Sequence, residues 1–429
     1  MKMDRLLPIK FAFLFVVFCN VVVDVTHKVF LQNIAFKVLD GSEQVVWISV
    51  INALIIIPFL LLFTVSGYLS DKYDKKNILV YGGISSFVLS CIMVISYMSG
   101  NFYMAMFGLL LLAIQAAVYS PAKFGLILDI YGKKNLSKGN ATLQAISIVA
   151  ILFSIAIASL IFEHFYTSNA LENIKTKEEL LSAMLPLTYY ILPVSFMEMS
   201  FSLLILRNLK TNFFRNENLT LNTKELLQGK LLAKNINIIH DNNLVFLSVI
   251  GLSVFWGISQ ATIAVYPSFA KMYMQITDVF VINGVIGLSG IGIAIGSIIY
   301  SRMSKHYIEV GTIPWATFGM AVTLYFSTAT QSATTAAICF LFFGIFGGLF
   351  VVPLNSLIQF NVKKDILGTV LAGNNWFQSL VMFLMLCMTT IVSLYDIDPL
   401  KTMYIILAIT VIGSIYTIYK LPQSLLLLS

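Results

Sequence analysis

Tyr119-Ser120-Pro121-Ala122-Lys123-Phe124-Gly125, followed by Lys133-Lys134 and then Gly139-Asn140-Ala141-Thr142-Leu143-Gln144, is a stretch this chain uses twice. About 232 residues later come Pro353-Leu354-Asn355-Ser356, Lys363-Lys364 and Gly373-Asn374-Asn375, with the Pro, the Lys pair and the Gly-Asn displaced equally to within about two residues. In each copy an apolar segment leads through a short basic loop into another apolar segment. Recurrence of a whole segment–loop–segment unit at so long a period indicates two parallel halves built from membrane-spanning helices.

Composition agrees. The 429 residues are 58% hydrophobic and 11% charged, where a soluble protein carries about 25% charge. Apolar runs near the length that crosses a bilayer recur throughout and lack the ten-residue alternation of a β-barrel, so the expected class is an all-α membrane protein. Twelve helices are predicted, over 8–36, 44–69, 77–98, 102–129, 138–162, 184–206, 244–270, 277–301, 308–328, 333–359, 366–394 and 399–420. The expected organisation is a six-helix half over 1–206, a linker over 207–243 and a second six-helix half over 244–429. The first apolar run continues past residue 30 and has bulky Val16-Val17-Phe18 before Cys19, so it reads as a retained helix, not a cleaved leader.

The net charge of +7 suggests an acidic partner until its placement is considered. On one predicted side lie 20 of the 27 lysines and arginines, whereas the opposite loops keep Lys37, Lys175, Lys177, Lys271 and Lys401. This asymmetry is that of cytoplasmic loops in a multi-pass protein, with both termini in the cytoplasm, and it leaves no case for nucleic acid. Cys19, Cys91, Cys339 and Cys387 all fall in apolar runs without ligand spacing, so no metal or cofactor is expected.

Two loops are long. In the linker, Asn222-x-x-Glu225 has capping-box spacing, and Leu226, Leu227, Leu231 and Leu232 run beside Lys224, Lys230 and Lys234. An amphipathic helix on the inner membrane surface and a solvated linker both fit. The loop over 163–182 reads as a solvated excursion on the outer side. Gly284, Gly287, Gly290, Gly292 and Gly296 in the eighth segment, with Gly344, Gly347 and Gly348 in the tenth, have the spacing of close helix–helix contacts.

The loop after the second predicted helix reads Gly67-Tyr-Leu69-Ser-Asp71-Lys72-Tyr-Asp74-Lys75-Lys76. Gly67 is expected to let two helices approach, Asp71 to accept from helix-terminal N–H groups, and Lys72, Lys75 and Lys76 to hold the loop at an anionic leaflet. The loop resembles the signature of the major facilitator superfamily, except that Asp74 stands where the family has Gly. Asp is expected to keep the turn because it tolerates the left-handed region. The expected role is conformational gating, with Asp71 latching the halves near Lys364–Gly368. Gly296, Arg302 and Lys305 form a degenerate second copy.

Charges at membrane depth cost roughly 2.5–3.5 kcal/mol each on insertion scales and need a reason. In the first helix Asn20, Asp24, His27 and Lys28 share a face, and Asp24 and Lys28 have the i, i+4 spacing of an ion pair. A structural pair and a substrate-facing wall both fit. The fourth helix offers Gln115, Tyr119 and Lys123 at successive i+4 steps, where Lys123 either reads a substrate or snorkels to the cytoplasm. The fifth begins with Asn140 and Gln144, the eleventh with Asn374 and Gln378, and the tenth ends in Asn355 and Gln359. Matched placement in both halves favours a cavity over interhelical glue. Glu198 in the sixth helix reads as a coupling-ion site or a buried neutral acid.

Taken together, the Tyr119–Gly125 segment, Leu136-x-x-Gly139-Asn140-Ala141 and Phe350-Val-Val-Pro-Leu-Asn-Ser-Leu-Ile-Gln359 resemble the bacterial lysophospholipid transporters of that superfamily. Val23-Asp24-x-x-His27-Lys28 with Gln32-Asn33, and Lys420-Leu-Pro-Gln-Ser-Leu, are similar to the variant in which the transporter is joined to an acyltransferase. The resemblance implies the twelve-helix major facilitator fold in the bacterial inner membrane. It also implies movement of lysophosphatidylethanolamine from the outer to the inner leaflet, and re-acylation there by an acyltransferase partner. Asp24 matches the family's acidic position in the first helix and Lys123 its Pro-Ala-Lys segment. The family's cationic position in the seventh helix is apolar here, around Ile263, which leaves Lys28, His27 or Lys123 for the phosphate. A facilitator exporting drugs against protons is the alternative. An acyltransferase on this chain is disfavoured, because none of His27, His164, His240 and His306 has an Asp five positions on.

Overall fold

The structure is a computed structural model that describes residues 3–131, 136–209, 239–240, 242–304, 308–362 and 367–426. The basic turns at Lys133–Lys134 and Lys363–Lys364, Lys305, the capping box at Asn222 and Glu225 and the amphipathic stripe over 226–234 lie outside the described residues, as do the side chains of Asp71 and Asn140.

The described residues are helical and contain no strand. In chain order the helices are α1 (Met3–Val38), α2 (Gly41–Leu61), α3 (Phe63–Lys72), α4 (Lys75–Met98), α5 (Phe102–Tyr131) and α6 (Leu136–Ser168). The short α7 (Lys177–Ala183) and α8 (Leu185–Thr188) then lead into α9 (Ile191–Asn208). The remainder comprises α10 (Asn243–Tyr273), α11 (Val279–Met303), α12 (Thr312–Ala329), α13 (Ala333–Asn361), α14 (Leu367–Leu394) and α15 (Pro399–Leu426). Among the described residues, 11 helical spans are long and apolar enough to cross a membrane. The 18-residue α12 is diluted by Thr312, Pro314, Thr317, Thr323, Ser327 and Thr328 and falls short of that apolarity.

Helix starts follow from capping. Asn242 accepts from the N–H groups of Leu244 and Val245 at 3.1 and 3.2 Å, and Asp278 accepts from those of Phe280 and Val281 at 2.7 and 3.2 Å. Each side chain satisfies donors that a helix cannot satisfy itself. The loop over 163–182 is partly helical, since Thr176 caps α7 by accepting from Glu179 N–H at 3.3 Å. The second predicted helix is not continuous but is divided at Leu62, with φ −93° and ψ 2°. Pro58, four residues earlier, removes one helical donor and crowds the preceding turn, which bends the helix. Leu62 still donates to Pro58 O and Ser66 to Leu62 O, both at 2.8 Å, so the break is a kink.

The chain forms two compact units, one of Met1–Val38 and Leu54–Lys224, the other of Leu39–Ala53 and Glu225–Ser429. In the first unit α1 packs on α5, α6 and α9, α4 packs on α5 and α9, and α3 packs on α5. In the second, α10 packs on α13, α14 and α15, α12 packs on α13 and α15, and α11 packs on α13. Helix for helix these are the same pairings, so the sequence repeat is also a repeat of packing. Within the second unit, residues 39–53 are tied down by Lys271, which meets Asp40 at 2.8 Å and donates to Leu39 O at 2.9 Å. Ser268 donates to Gly41 O, and Ser49 shares a buried hydrogen bond with Thr389, both at 2.9 Å.

The glycine pattern has the expected outcome in α11 and α13. A Cβ at Gly296 would strike the backbone of Ile345, and one at Gly344 the backbone of Ser289. Main chain meets main chain at this seam, which only glycine permits. Gly284 and Gly287 face open space and take no part in it.

Candidate functional site

The first unit gathers the polar groups that the sequence singles out at membrane depth. Asn20, Asp24, His27 and Lys28 come from α1, Gln115, Tyr119 and Lys123 from α5, and Glu198 from α9. Glu198 is fully buried and accepts a 2.7 Å hydrogen bond from Ser86 of α4, while its second oxygen has no hydrogen-bond partner. Asn20 faces the same carboxyl. Tyr119 is buried beside Glu198, Asp24 and Cys19, and its hydroxyl is unpartnered. Gln115 donates to Gly82 O at 3.1 Å.

The charges do not pair as their spacing suggests. Asp24 forms no ion pair with either Lys28 or Lys123. The cation within electrostatic range of Asp24 is instead Lys123 on α5. A helix places i and i+4 side chains on one face, but which of them meet depends on the packed neighbour, and here α5 brings Lys123 to α1. The Lys123 ammonium also sits 5.7 Å from the Tyr119 ring centroid and 5.6 Å from that of Phe124. Lys28 is half-buried, and His27 is fully buried with both ring nitrogens unpartnered.

Such a cluster is chemically unusual. Each buried polar group left without a partner costs about 1–3 kcal/mol, and a protein retains several together only where something else offsets that cost. One cationic group, one carboxyl within its range and further unpaired donors and acceptors are the chemistry that a ligand carrying both charges would require. Ser86 and Cys19, which complete the cluster, are not evident from spacing. The one signal was Gly82-Gly83, four and three residues before Ser86, where a Cβ at Gly82 would strike Tyr119 and so marks where α4 and α5 touch.

The other expected positions lie elsewhere. Gln144 on α6 is exposed. In the second unit Asn355 is half-buried and donates to Val351 O at 3.0 Å, Gln359 is exposed and Gln378 half-buried. Asn374 is 3% exposed, and its carbonyl oxygen has no hydrogen-bond partner.

The loop between α3 and α4 differs from expectation twice. Asp74 does not enter the left-handed region. It lies at φ −61°, ψ 122° as the N-cap of α4, accepting from Lys76 N–H at 3.1 Å. A capping side chain takes the place of the family's flexible glycine. Gly67 makes no close helix approach among the described residues, since a Cβ there would meet nothing within 4 Å. The basic residues do tie the loop down. Lys72 donates to Tyr68 OH at 2.6 Å, Lys76 to Leu209 O at 3.4 Å, and the Lys75 stem lies against Gly125.

Comparison with known proteins places this arrangement. The family model of the Major Facilitator Superfamily matches residues 13–386. The lysophospholipid transporter LplT of Photorhabdus laumondii is 24% identical over 360 residues, covering 80% of this chain and 79% of the relative. The protein of the same name from Yersinia enterocolitica is 24% identical over 360 residues, covering 82% and 79%. Among solved structures, a bacterial homologue of the iron transporter ferroportin in an inward-facing state matches with TM-score 0.67 at 13% identity, covering 96% of this chain and 100% of that one. A D-xylose-proton symporter matches with TM-score 0.63 at 14% identity, covering 98% of each. At such identities the solved structures speak for the fold alone, and they agree with the twelve-helix architecture. With the family model spanning most of the chain and the repeat visible in both sequence and packing, this chain belongs to the Major Facilitator Superfamily.

Proposed function

We propose that this chain transports lysophospholipids, lysophosphatidylethanolamine first among them, from the outer to the inner leaflet of the bacterial inner membrane by alternating access of its two halves. The halves are the six-helix segments over 1–206 and 244–429, with both termini and the basic loops in the cytoplasm. The observation that carries the reading is the cluster in the first unit, with the opposite charges of Asp24 and Lys123 within electrostatic range beside unpaired buried polar groups. A zwitterionic head group matches it, with phosphate at Lys123 or Lys28 and ammonium at Asp24 or Glu198. The apolar composition around the few charges suits a single acyl chain, and the named relatives are lysophospholipid transporters. Delivery to the inner leaflet would supply an acyltransferase that restores a diacyl lipid.

The test is uptake of labelled lysophosphatidylethanolamine into proteoliposomes, with and without ion gradients. The expected result is saturable uptake, competed by other lysophospholipids and not by diacyl lipid. Flux that follows the pH gradient with no preference for lysolipid would overturn the reading in favour of a proton-coupled exporter.

A further inference from the structure

The second unit contains a cleft that has no part in the polar cluster. It lies among α10, α12, α13 and α15 and is partly open. Its walls are apolar, formed by residues such as Ile250, Val254, Ile258, Met320 and Leu354. Phe255 lines it with its ring centroid 6.3 Å from that of Phe343 and 6.2 Å from that of Phe350. From Leu247 to Ile258 the lining follows α10 for about 16 Å at 1.5 Å per residue.

Four of the hydroxyls on the walls are committed to the backbone, and Tyr416 brings a fifth. Thr317 donates to Pro314 O at 2.9 Å, Thr410 to Ile406 O at 2.8 Å and Thr417 to Gly413 O at 2.8 Å. Ser414 donates to Thr410 O at 2.8 Å, with Thr317 O at 3.1 Å. With these donors engaged, the cleft has little to offer a polar solute or water, whose retention needs two or more polar partners. One charged residue, Lys420, is among the described lining residues, and it stands at the end of the cleft near the first turns of α10. An apolar channel of this depth with a cation at its mouth is complementary to one acyl chain carrying an anionic head.

We propose that this cleft is a holding site for the acyl chain of a lysophospholipid, with the chain along α10 and the phosphate at Lys420. This rests on the lysolipid reading above and extends it, because it places the chain in the second unit, apart from the groups that meet the head group in the first. Under the orientation proposed there, the mouth at Lys420 is cytoplasmic, so the site would hold lipid on the inner-leaflet side.

The experiment uses the full chain in nanodiscs with a lysophosphatidylethanolamine bearing a photoreactive diazirine in mid-chain, followed by peptide mapping. Uptake of the same lipid is measured in proteoliposomes. The expected result is labelling concentrated in 247–258 and 410–420, reduced at least fivefold by Gly413→Phe, because a side chain added at Gly413 points toward Val254, 3.6 Å from its Cβ. Lys420→Ala, a change at an exposed position that leaves the core intact, is expected to lower labelling by the lysolipid several-fold but not by a photoreactive monoacylglycerol. Labelling spread evenly over the lipid-facing helices, or unchanged in both variants, overturns the site as annular lipid only. Uptake without labelling of the cleft sinks this inference and leaves transport standing. Labelling of the cleft without uptake supports the site and sinks transport.

Discussion

The two units share a packing plan and differ in what they bury. In the first unit Asp24, Lys123, Glu198, His27 and Tyr119 gather polar and charged groups among α1, α4, α5 and α9. In the second, the described helices carry charge only near their ends, at Glu43, Lys271, Arg302, Lys401 and Lys420, and the interior holds glycine seams, hydroxyls turned to backbone carbonyls and an apolar cleft. The repeated stretch shows the divergence residue by residue. Two positions after the helix-borne proline, the first copy has Lys123 and the second has Asn355, whose amide is satisfied within its own helix. Two positions before it, Tyr119 is answered by Val351. The two units keep one packing plan, with charge gathered inside one and an apolar cleft in the other.

The comparison can be broken most forcefully at its glycines. Gly67 and Gly296 occupy matching places in the two signature loops, yet one faces open space and the other a backbone. Gly296→Leu should prevent recovery of folded, monodisperse protein, because overpacking a rigid backbone contact costs at least the usual 1–3 kcal/mol or so. A well-behaved Gly296→Leu protein with a wild-type melting temperature would show that the seam is not tight. Next in size is the charge pair. Lys123→Ala should lower lysolipid uptake about tenfold or more, the loss expected when a charge-assisted contact of about 1.5–3 kcal/mol is removed. Lys401→Ala in the other half should leave the initial uptake rate within about threefold, since it is exposed and lies outside the charge cluster.

Smaller effects sharpen the account within the first unit. Ser86→Ala should destabilise the unit by about 1–3 kcal/mol, because it removes the 2.7 Å donor to the buried Glu198 carboxyl. Glu198→Gln should be milder, since an amide oxygen can still accept from Ser86. Thermal melts in the same detergent would rank the two, and a larger loss for Glu198→Gln would contradict the assignment. Smallest of all, Gly67→Ala should stay within about 0.5 kcal/mol of the wild type, as expected at a site with nothing to strike.

The architecture was legible because the signals that set it are local or periodic. Apolar runs give the helices, the placement of lysine and arginine gives a sidedness, and a repeated Pro–Lys-Lys–Gly-Asn pattern gives the two halves. The glycine seam of α11 and α13 was legible for the same reason, since small residues recur there at helical spacing. What escaped depends on neighbours distant in sequence. Which cation acts on Asp24 through space is decided by where α5 crosses α1, and spacing along α1 pointed instead to Lys28. Ser86 is one of many serines until α9 brings Glu198 to it. The kink at Leu62 needed the effect of Pro58 on a helix whose apolar pattern runs on unbroken. Asp74 was read as a turn residue when its side chain could equally start a helix, and capping is what the structure uses.

The central claim is that one half reads the charge of the substrate through Asp24 and Lys123. Initial rates of labelled lysophosphatidylethanolamine uptake should be measured for Asp24→Ala, Lys123→Ala and the double variant, each shown to be folded and reconstituted at equal density. The account predicts that each single change lowers the rate about tenfold or more, and that the double variant is no slower than the slower single, because the two groups act on one bound head group. Wild-type rates in both single variants would contradict it.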